Sequence, residues 1–476
     1  MNLKFRFRRT TIISASLLAF LVGLVLAKSG WRVDVVVALI PAGLLVVFRK
    51  RTVATVLVVL VLGLLLGVWR GGAVQQQVAE YGQFYGRTVL VSGRVLDDPV
   101  YDKAQLDFRL GAVLVDGHSL PGQVRVKTLA NGIRRGDDLR VRGKLRDGFG
   151  NYQASMYFAD VAVTAHSNSP LEKLRREFFA AVYSVLPEPQ ASLGLGFLVG
   201  LRSSLPEDLD EQLRIVGLTH IVVASGYNLT VLVRLSRRIL AKHSKYQAFA
   251  GSIALMLVFL AVTGASPSMV RASVVTALSL LAWYYGRRFQ PVLIILLGAA
   301  LTAGVNPLFI WHDLGWWLSF LAFAGVLVLA PLISARFLRD KSPPLLAQVA
   351  IETLAAQLLT MPLILFMFGQ LSVVALVANV AVVPLIPYAM ASTALAGLAG
   401  MALPGGFAGW LAVPAQLLLS YVVSAIRLFA LPSWAQREVG IDVVGLVLLY
   451  ALILGGTTVL YAKSKVTFSK IPSVVE

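Results

Sequence analysis

Apolar runs long enough to enter a bilayer alternate with short basic turns along most of the chain, and one stretch of about a hundred residues breaks that pattern. The runs fall at roughly 11–27, 34–48 and 53–69 before the stretch, and at about 247–263, 270–286, 290–304, 316–334, 346–368, 407–430 and 441–461 after it. A spanning helix needs about 20 predominantly apolar residues, so these runs predict transmembrane helices. The first run, behind M-N-L-K-F-R-F-R-R, has the flanks of a signal peptide or of a first span. Further spans at once after it favour the span. Pro384 and Pro387 interrupt residues 371–403, and one net crossing as a broken helix keeps the later lysines on the inner side. With a further span entered at Gly217, the expectation is about twelve spans and both termini inside.

The exceptional stretch, from about Gly72 to Ser169, alternates with period two. T-V-L-V-S-G-R-V, D-F-R-L-G-A-V-L-V, Q-V-R-V-K-T, D-L-R-V-R-G-K-L and F-A-D-V-A-V predict five short strands, and D-G, N-G, R-G-D-D and D-G-F-G-N supply turns. Five strands in so short a segment suit a small closed barrel, with the OB-fold as the leading form. Leu171 to Leu186 is amphipathic and predicts a helix on the membrane surface or bridging to the next element. S-L-G-L-G-F-L-V-G is too short to span, so a re-entrant or buried segment is expected, with Gly194, Gly196 and Gly200 permitting close backbone approach. Its glycines miss the dinucleotide spacing. Ser204-Leu205-Pro206-Glu207 has capping-box form and opens an acidic first turn. The expected organisation is therefore 1–71 amino-terminal helices, 72–169 barrel on the extracytoplasmic side, 170–216 connecting helices and 217–476 polytopic core.

Composition agrees with the pattern: 57% of residues are hydrophobic and 14% charged, too apolar for a soluble domain of 476 residues. The net charge of +19 would suggest nucleic acid, but its location decides otherwise. Loops assigned to the cytoplasm, at 1–10, 49–51, 234–245, 287–288, 336–341 and 463–476, hold 20 cations against Asp340 and Glu476. Positive-inside topology thus accounts for nearly all the excess. With no cysteine and five scattered histidines there is neither a disulfide framework nor a metal-ligand constellation, and no cofactor is expected.

Two groups of residues could carry chemistry. Arg125, Lys127, Arg134, Arg135, Arg140, Arg142, Lys144 and Arg146 stand against only Asp137 and Asp138, and Phe84, Tyr85, Tyr101 and Phe108 offer rings. A basic groove with stacking rings is what sequence-independent single-strand binding requires, although the polar face of any half-exposed sheet reads alike. The second group lies in G-L-T-H-I-V-V-A-S-G-Y-N, Gly217 to Asn228. His220 and Asn228, eight residues apart, would share one face of a helix, with Ser225 beside them. Polar groups at membrane depth usually face a protein interior or a water-filled cavity. Arg271, Asp313, Gln357, Gln370 and Asn379 are further polar positions in the apolar core, where snorkelling and interhelical hydrogen bonds compete with a working role. An intramembrane enzyme with Ser225 as nucleophile and His220 as base is the alternative. A spacing of five offsets the two by about 140° on one helix, which disfavours a direct bond.

V-G-L-R-S-S-L-P-E-D-L and G-L-T-H-I-V-V-A-S-G, then T-G-A-S-P-S-M-V-R-A, Y-G-R-R, N-P-L and D-L-G-W-W-L-S-F, then A-A-Q-L-L-T-M-P, F-G-Q-L-S and A-N-V-A-V-V-P follow one another in order. In these motifs, and in a barrel set between amino-terminal spans and core, the chain resembles the ComEC family of bacterial competence proteins. The resemblance implies a multi-pass channel of the bacterial cytoplasmic membrane that imports single-stranded DNA. It implies DNA contacts from the barrel cations and Arg202, and a polar path through His220, Ser225, Asn228, Arg271, Asp313, Ser319, Gln357, Gln370 and Asn379. It also implies partners: single-stranded DNA, the lipid bilayer, DNA-receptor proteins and a separate ATP-driven motor, since no Walker-type loop occurs. A separate nuclease and self-assembly stay open, as does a transporter or scaffold for another polymer. Two positions depart from the family pattern, which commonly has His where Asn228 stands and Gln where Trp317 stands. Many relatives add a carboxy-terminal metallo-β-lactamase-like domain, and no H-x-H-x-D-H cluster occurs here.

Overall fold

The computed structural model describes residues 8–47, 52–102, 105–148, 150–201, 204–222, 226–242, 244–264, 266–287, 290–337 and 344–464. The chain forms two compact units: Met1–Ser167 with Val292–Trp317, and Asn168–Pro291 with Leu318–Glu476.

The first unit begins with α1 (Arg9–Ala27), α2 (Val35–Val47) and α3 (Val53–Gly82). Glycines bring α1 and α3 into backbone contact. A Cβ on Gly23 would fall 2.1 Å from the Leu64 carbonyl oxygen, and one on Gly67 2.2 Å from that of Phe20. Small residues at a helix crossing allow such approach where no hydrophobic force separates helix from lipid. α3 continues into the β region and delivers Tyr81, fully buried, whose hydroxyl donates to the Pro121 carbonyl at 3.1 Å. Pro291–Val305 and Leu308–His312 are two later helices of this unit. Arg70 Nε and Nη2 donate to the Gly304 and Val305 carbonyls at 2.7 Å, satisfying groups that a helix end leaves without partners.

Eight strands follow: β1 (Thr88–Val95), β2 (Val100–Asp102), β3 (Gln105–Val115), β4 (His118–Ser119), β5 (Val124–Thr128), β6 (Asp138–Asp147), β7 (Ala154–Tyr157) and β8 (Asp160–Ala165). Five of them close a barrel in the order β1-β3-β5-β7-β6 and back to β1. All pairs are antiparallel except β5 with β7, which run parallel from Val124↔Ala154 to Lys127↔Tyr157. The closed five-stranded barrel agrees with the sequence, with one substitution of strands. F-A-D-V-A-V does not close it; β8, which contains most of that segment, lies on β6 outside the closed circuit, and closure falls to A-S-M-Y. Ala154, Ser155 and Met156 are all buried, so β7 shows none of the alternation that reveals a half-exposed strand. The interior is filled by Val91, Phe108, Leu110, Val126, Leu139 and Met156, among others.

The second unit holds α4 (Pro170–Val185), α5 (Gln190–Val199), α6 (Glu207–Ile215), α7 (Thr219–Val222), α8 (Gly226–Leu240), α9 (Lys245–Thr263) and α10 (Pro267–Tyr284). The two helices named above are α11 and α12. The run α13 (Leu314–Ala324), which belongs to this unit from Leu318 on, a π-helical turn at Gly325–Leu329 and α14 (Ala330–Phe337) comes next, then α15 (Leu345–Phe368) and β9 (Gln370–Ser372). α16 (Ala375–Val382), a 3-10 turn at Val383–Leu385, α17 (Ile386–Ala402), α18 (Gly405–Ala430), β10 (Gln436–Glu438) and α19 (Val443–Ser464) complete it.

Among the described residues eight helices are long and apolar enough to cross a membrane. They account for eight of the twelve expected segments. α2 has 13 described residues and α11 has 15, fewer than a span needs, and α10 buries Arg271, Ser273, Thr276 and Ser279 in its 18 residues. The twelfth segment, from Gly217, is divided between two helices. Residues 371–403 behave as one broken apolar helix: the 3-10 turn absorbs Pro384, and Ala375–Ala402 is continuous over 28 residues. β9 and β10 pair from Gln370↔Glu438 to Ser372↔Gln436, which fixes the turn after α15 and the turn after α18 at one end of the bundle.

Candidate functional site

On the barrel, β6 presents its cations in a row. Leu139, Val141 and Leu145 point into the core, and Arg140, Arg142, Lys144 and Arg146 alternate with them on the exposed face. The ion pairs of the barrel involve other cations. Arg125 is bonded to Asp107 through Nε, at 3.0 Å, and Nη2, with Lys127 Nζ 3.8 Å from the same carboxylate. Arg109 Nε reaches Asp97 at 2.6 Å. Arg94 grips both oxygens of Asp138 across the β1–β6 seam, holding that carboxyl below the usual carboxylate range. The eight cations picked from sequence therefore divide. Arg125 and Lys127 are half-buried structural partners of Asp107. Arg134, exposed, and Arg135 sit on the loop before β6, where the Arg134 amide donates to Asp137 at 3.0 Å. The β6 row faces out.

The rings divide too. Phe108 is a core residue, 1% exposed. Tyr85 packs on the core and donates to the Gln153 carbonyl at 2.7 Å, and burial beside Asp147 pushes its phenol up. Phe84 lies against His118. Tyr101 is exposed and bonded to Asn131 at 3.2 Å. Two rings beyond those four lie by the cations, Tyr157 under Arg146 at 5.7 Å and Tyr152 under Arg125 at 5.9 Å, and Phe158 is 73% exposed. Phe158 holds φ at 53°, uncommon for a bulky side chain. β7 carries Tyr157, which went unseen with the strand, and Phe158, the first residue of F-A-D-V-A-V, lies in the turn between β7 and β8.

In the helical unit, Gly217 to Asn228 is not one helix. Gly217, at φ 75°, ends α6: its N–H bonds to the Arg214 carbonyl at 3.1 Å and the next N–H, of Leu218, to that of Leu213 at 2.8 Å. This paired pattern is the Schellman stop, which favours glycine because the left-handed conformation penalises a Cβ. His220 then lies exposed on the single-turn α7, its Nδ1–H donating to the Gly217 carbonyl at 3.1 Å. Asn228 lies on α8, fully buried, and its Nδ2 donates to the Phe197 carbonyl at 2.7 Å. Phe197 is in the last turn of α5, where carbonyls lack intrahelical partners, so Asn228 caps a neighbouring helix. The expected stacking of His220 and Asn228 on one face is thus replaced by two residues on two helices. Ser225, like Arg202, lies outside the described residues.

The remaining polar positions are dispersed. Arg271, 4% exposed, donates from Nη2 to Ser319 Oγ at 3.2 Å, joining α10 to α13. Asp313 accepts from the Trp316 amide at 3.2 Å and caps α13, and Trp317 donates to the Ile310 carbonyl at 3.1 Å. Gln370 accepts from Arg214 at 2.9 Å. Asn379 is buried and donates to Ala375 in its own helix at 2.7 Å. Gln357 is half-buried on α15.

The model of the family described as Competence protein matches residues 197–464, more than half of the chain. The chain belongs to the competence protein family. No curated protein and no solved structure gave a match. The competence match starts at Phe197, the residue whose carbonyl Asn228 caps, and runs to the last described residue of α19. It contains His220, Asn228, Arg271, Ser319, Gln370 and Asn379, and the barrel precedes it. Within the competence region the residue that sequence reading passed over is Arg214. Its Nη2 pairs with Glu211 at 2.6 Å while Nη1 holds Gln370, so α6 is tied to the β9–β10 ribbon.

Proposed function

We propose that the chain moves single-stranded DNA across the bacterial cytoplasmic membrane during DNA uptake, with the barrel outside receiving the strand and the competence core passing it inward. Family membership supports a part in uptake and transport rather than catalysis. The observation that carries the substrate class is the β6 row, Arg140, Arg142, Lys144 and Arg146, exposed on a closed barrel with Tyr157 against its last member. Phosphate contacts by cations give affinity without sequence preference, and rings add base stacking. Inside the core, the exposed His220 and the half-buried Ser319, Gln357 and Gln370 offer neutral hydrogen-bonding groups without a deep charge well. Such a path binds strongly enough to admit a strand and weakly enough to release it. A separate ATP-driven motor supplies the work. The test is import of labelled single-stranded DNA by a strain lacking its own channel and complemented with this chain. Import restored by the wild type and reduced at least tenfold by replacing the four β6 cations with Gln is the expected outcome. Equal import with and without the chain would remove the reading.

A further inference from the structure

A second concentration of cations and rings lies away from the barrel, at the shared end of α8, α9 and α10. Arg237 on α8 sits 5.1 Å from the centre of the Trp283 ring of α10, and Lys245 at the start of α9 lies 5.6 Å from it. Lys245 is also 5.8 Å from the Tyr284 ring, which packs on Phe249 at 4.7 Å. Tyr246 and Tyr285 flank the cluster, 66% and 70% exposed. Arg237 and Arg238 near the end of α8 and Lys242 just past it form a cationic stripe, with Arg238 and Lys242 exposed. Not one Asp or Glu occurs in the sequence between Glu211 and Asp313, so the three elements that meet here bring no carboxylate to balance the charge.

Beside the cationic stripe α8 exposes Leu235 and Ile239, at 53% and 55%, spaced one turn apart. On α10, Leu281 is 39% exposed. Cations, exposed tyrosines and an adjoining bare aliphatic stripe form the pattern of a helix end at the boundary between headgroups and acyl chains. A nucleic acid would match the charge but leave Leu235 and Ile239 in water, and the Trp283 face that would stack a base is already covered by Arg237 and Lys245. We infer that this end of α8–α10 is a binding site for anionic phospholipid headgroups, with Arg237, Lys242 and Lys245 meeting the phosphate and Leu235 and Ile239 lying along the acyl chain. The site depends on the membrane class of the chain and not on the DNA reading.

Trp283 reports occupancy directly. The full chain is reconstituted in bilayers of equal parts phosphatidylglycerol and phosphatidylcholine with bromine on the chains of one lipid or the other, and a Trp283→Phe sample isolates the emission of that ring. Stronger quenching by brominated phosphatidylglycerol is expected, and the Arg237→Gln/Lys245→Gln variant should lower the preference by about fivefold per cation removed, the surface attraction of one basic residue. Lys242→Gln, exposed and outside the ring cluster, should lower it with unchanged thermal melting, which separates headgroup binding from a folding defect. Equal quenching by both lipids, or a preference untouched in the variants, would overturn the site. So would displacement by a single-stranded oligonucleotide, which makes it a nucleic-acid surface, or by millimolar inorganic phosphate, which makes it a free-anion site.

Discussion

Asn228 shows how one side chain ties two helices of the competence region together. Its amide meets a helix-end carbonyl in a site with no solvent exposure, so Asn228→Ala leaves the Phe197 oxygen buried with one donor fewer, a loss of about 1–3 kcal/mol. Asn228→His restores a ring N–H that can reach the same oxygen. The expected order of thermal stability in detergent is wild type, then His, then Ala. Ala at least as stable as His would refute the capping role. Gly217 makes an independent case: its φ of 75° and the Ala375 Cβ 2.9 Å from any added Cβ both resist a side chain. Gly217→Ala should cost about 1–3 kcal/mol on the same melting curve, and an unchanged midpoint would mean that α6 can end another way. The sequence showed these polar residues but not their grouping. A glycine near a helical pattern reads equally as a tolerated interior residue or a stop, and only the bonds of Gly217 and Leu218 decide.

Elements in the helical unit are positioned by absent side chains as much as by present ones. α4, expected on the membrane surface or as a bridge, packs on α17 through Gly397 and Gly400: a Cβ on the first would lie 2.3 Å from the Phe178 ring and on the second 2.8 Å from the Ala181 carbonyl oxygen. A ring can turn aside and a backbone carbonyl cannot. Gly400→Leu should therefore separate the helices and lower the melting temperature by several degrees, while Gly397→Ala should be milder. Equal effects would show that the backbone contact is not the limiting one. On α4 itself, Arg175 is buried against Glu172 at 3.3 Å and over Phe179 at 4.7 Å, while Lys173, Arg176 and Glu177 stay exposed. Element type was legible wherever one physical signal dominated: period two for β1, β3, β5 and β6, and unbroken hydrophobicity for the long helices. It failed where signals cancelled. β7 is short and buried over Ala154–Met156, and Gly217, at the start of a segment apolar enough to span, closes α6.

For the whole molecule, the proposed passage of DNA makes the division of barrel cations measurable. Successive outward residues of a strand lie about 7 Å apart, so Arg140, Arg142, Lys144 and Arg146 extend over about 20 Å. Each single-strand phosphate met by a cation contributes about −0.7 to the slope of log K against log salt, so four contacts predict a slope near −3. Arg125 and Lys127 are already engaged with Asp107 and should add little. Binding of a fluorescent oligonucleotide to the full chain, titrated across salt, then separates the groups. Replacing the four β6 cations with Gln should flatten the slope towards zero and leave melting nearly unchanged, because those side chains face solvent. Arg125→Gln should keep the slope and lower stability, since it strips a half-buried carboxylate of its closest partner. The opposite assignment, with Arg125 carrying the slope and the β6 row silent, would move the DNA-facing surface to the β3–β5 side of the barrel. A steep slope that survives both replacements would instead place the phosphate contacts in the helical unit, with Arg271 the first cation to test there.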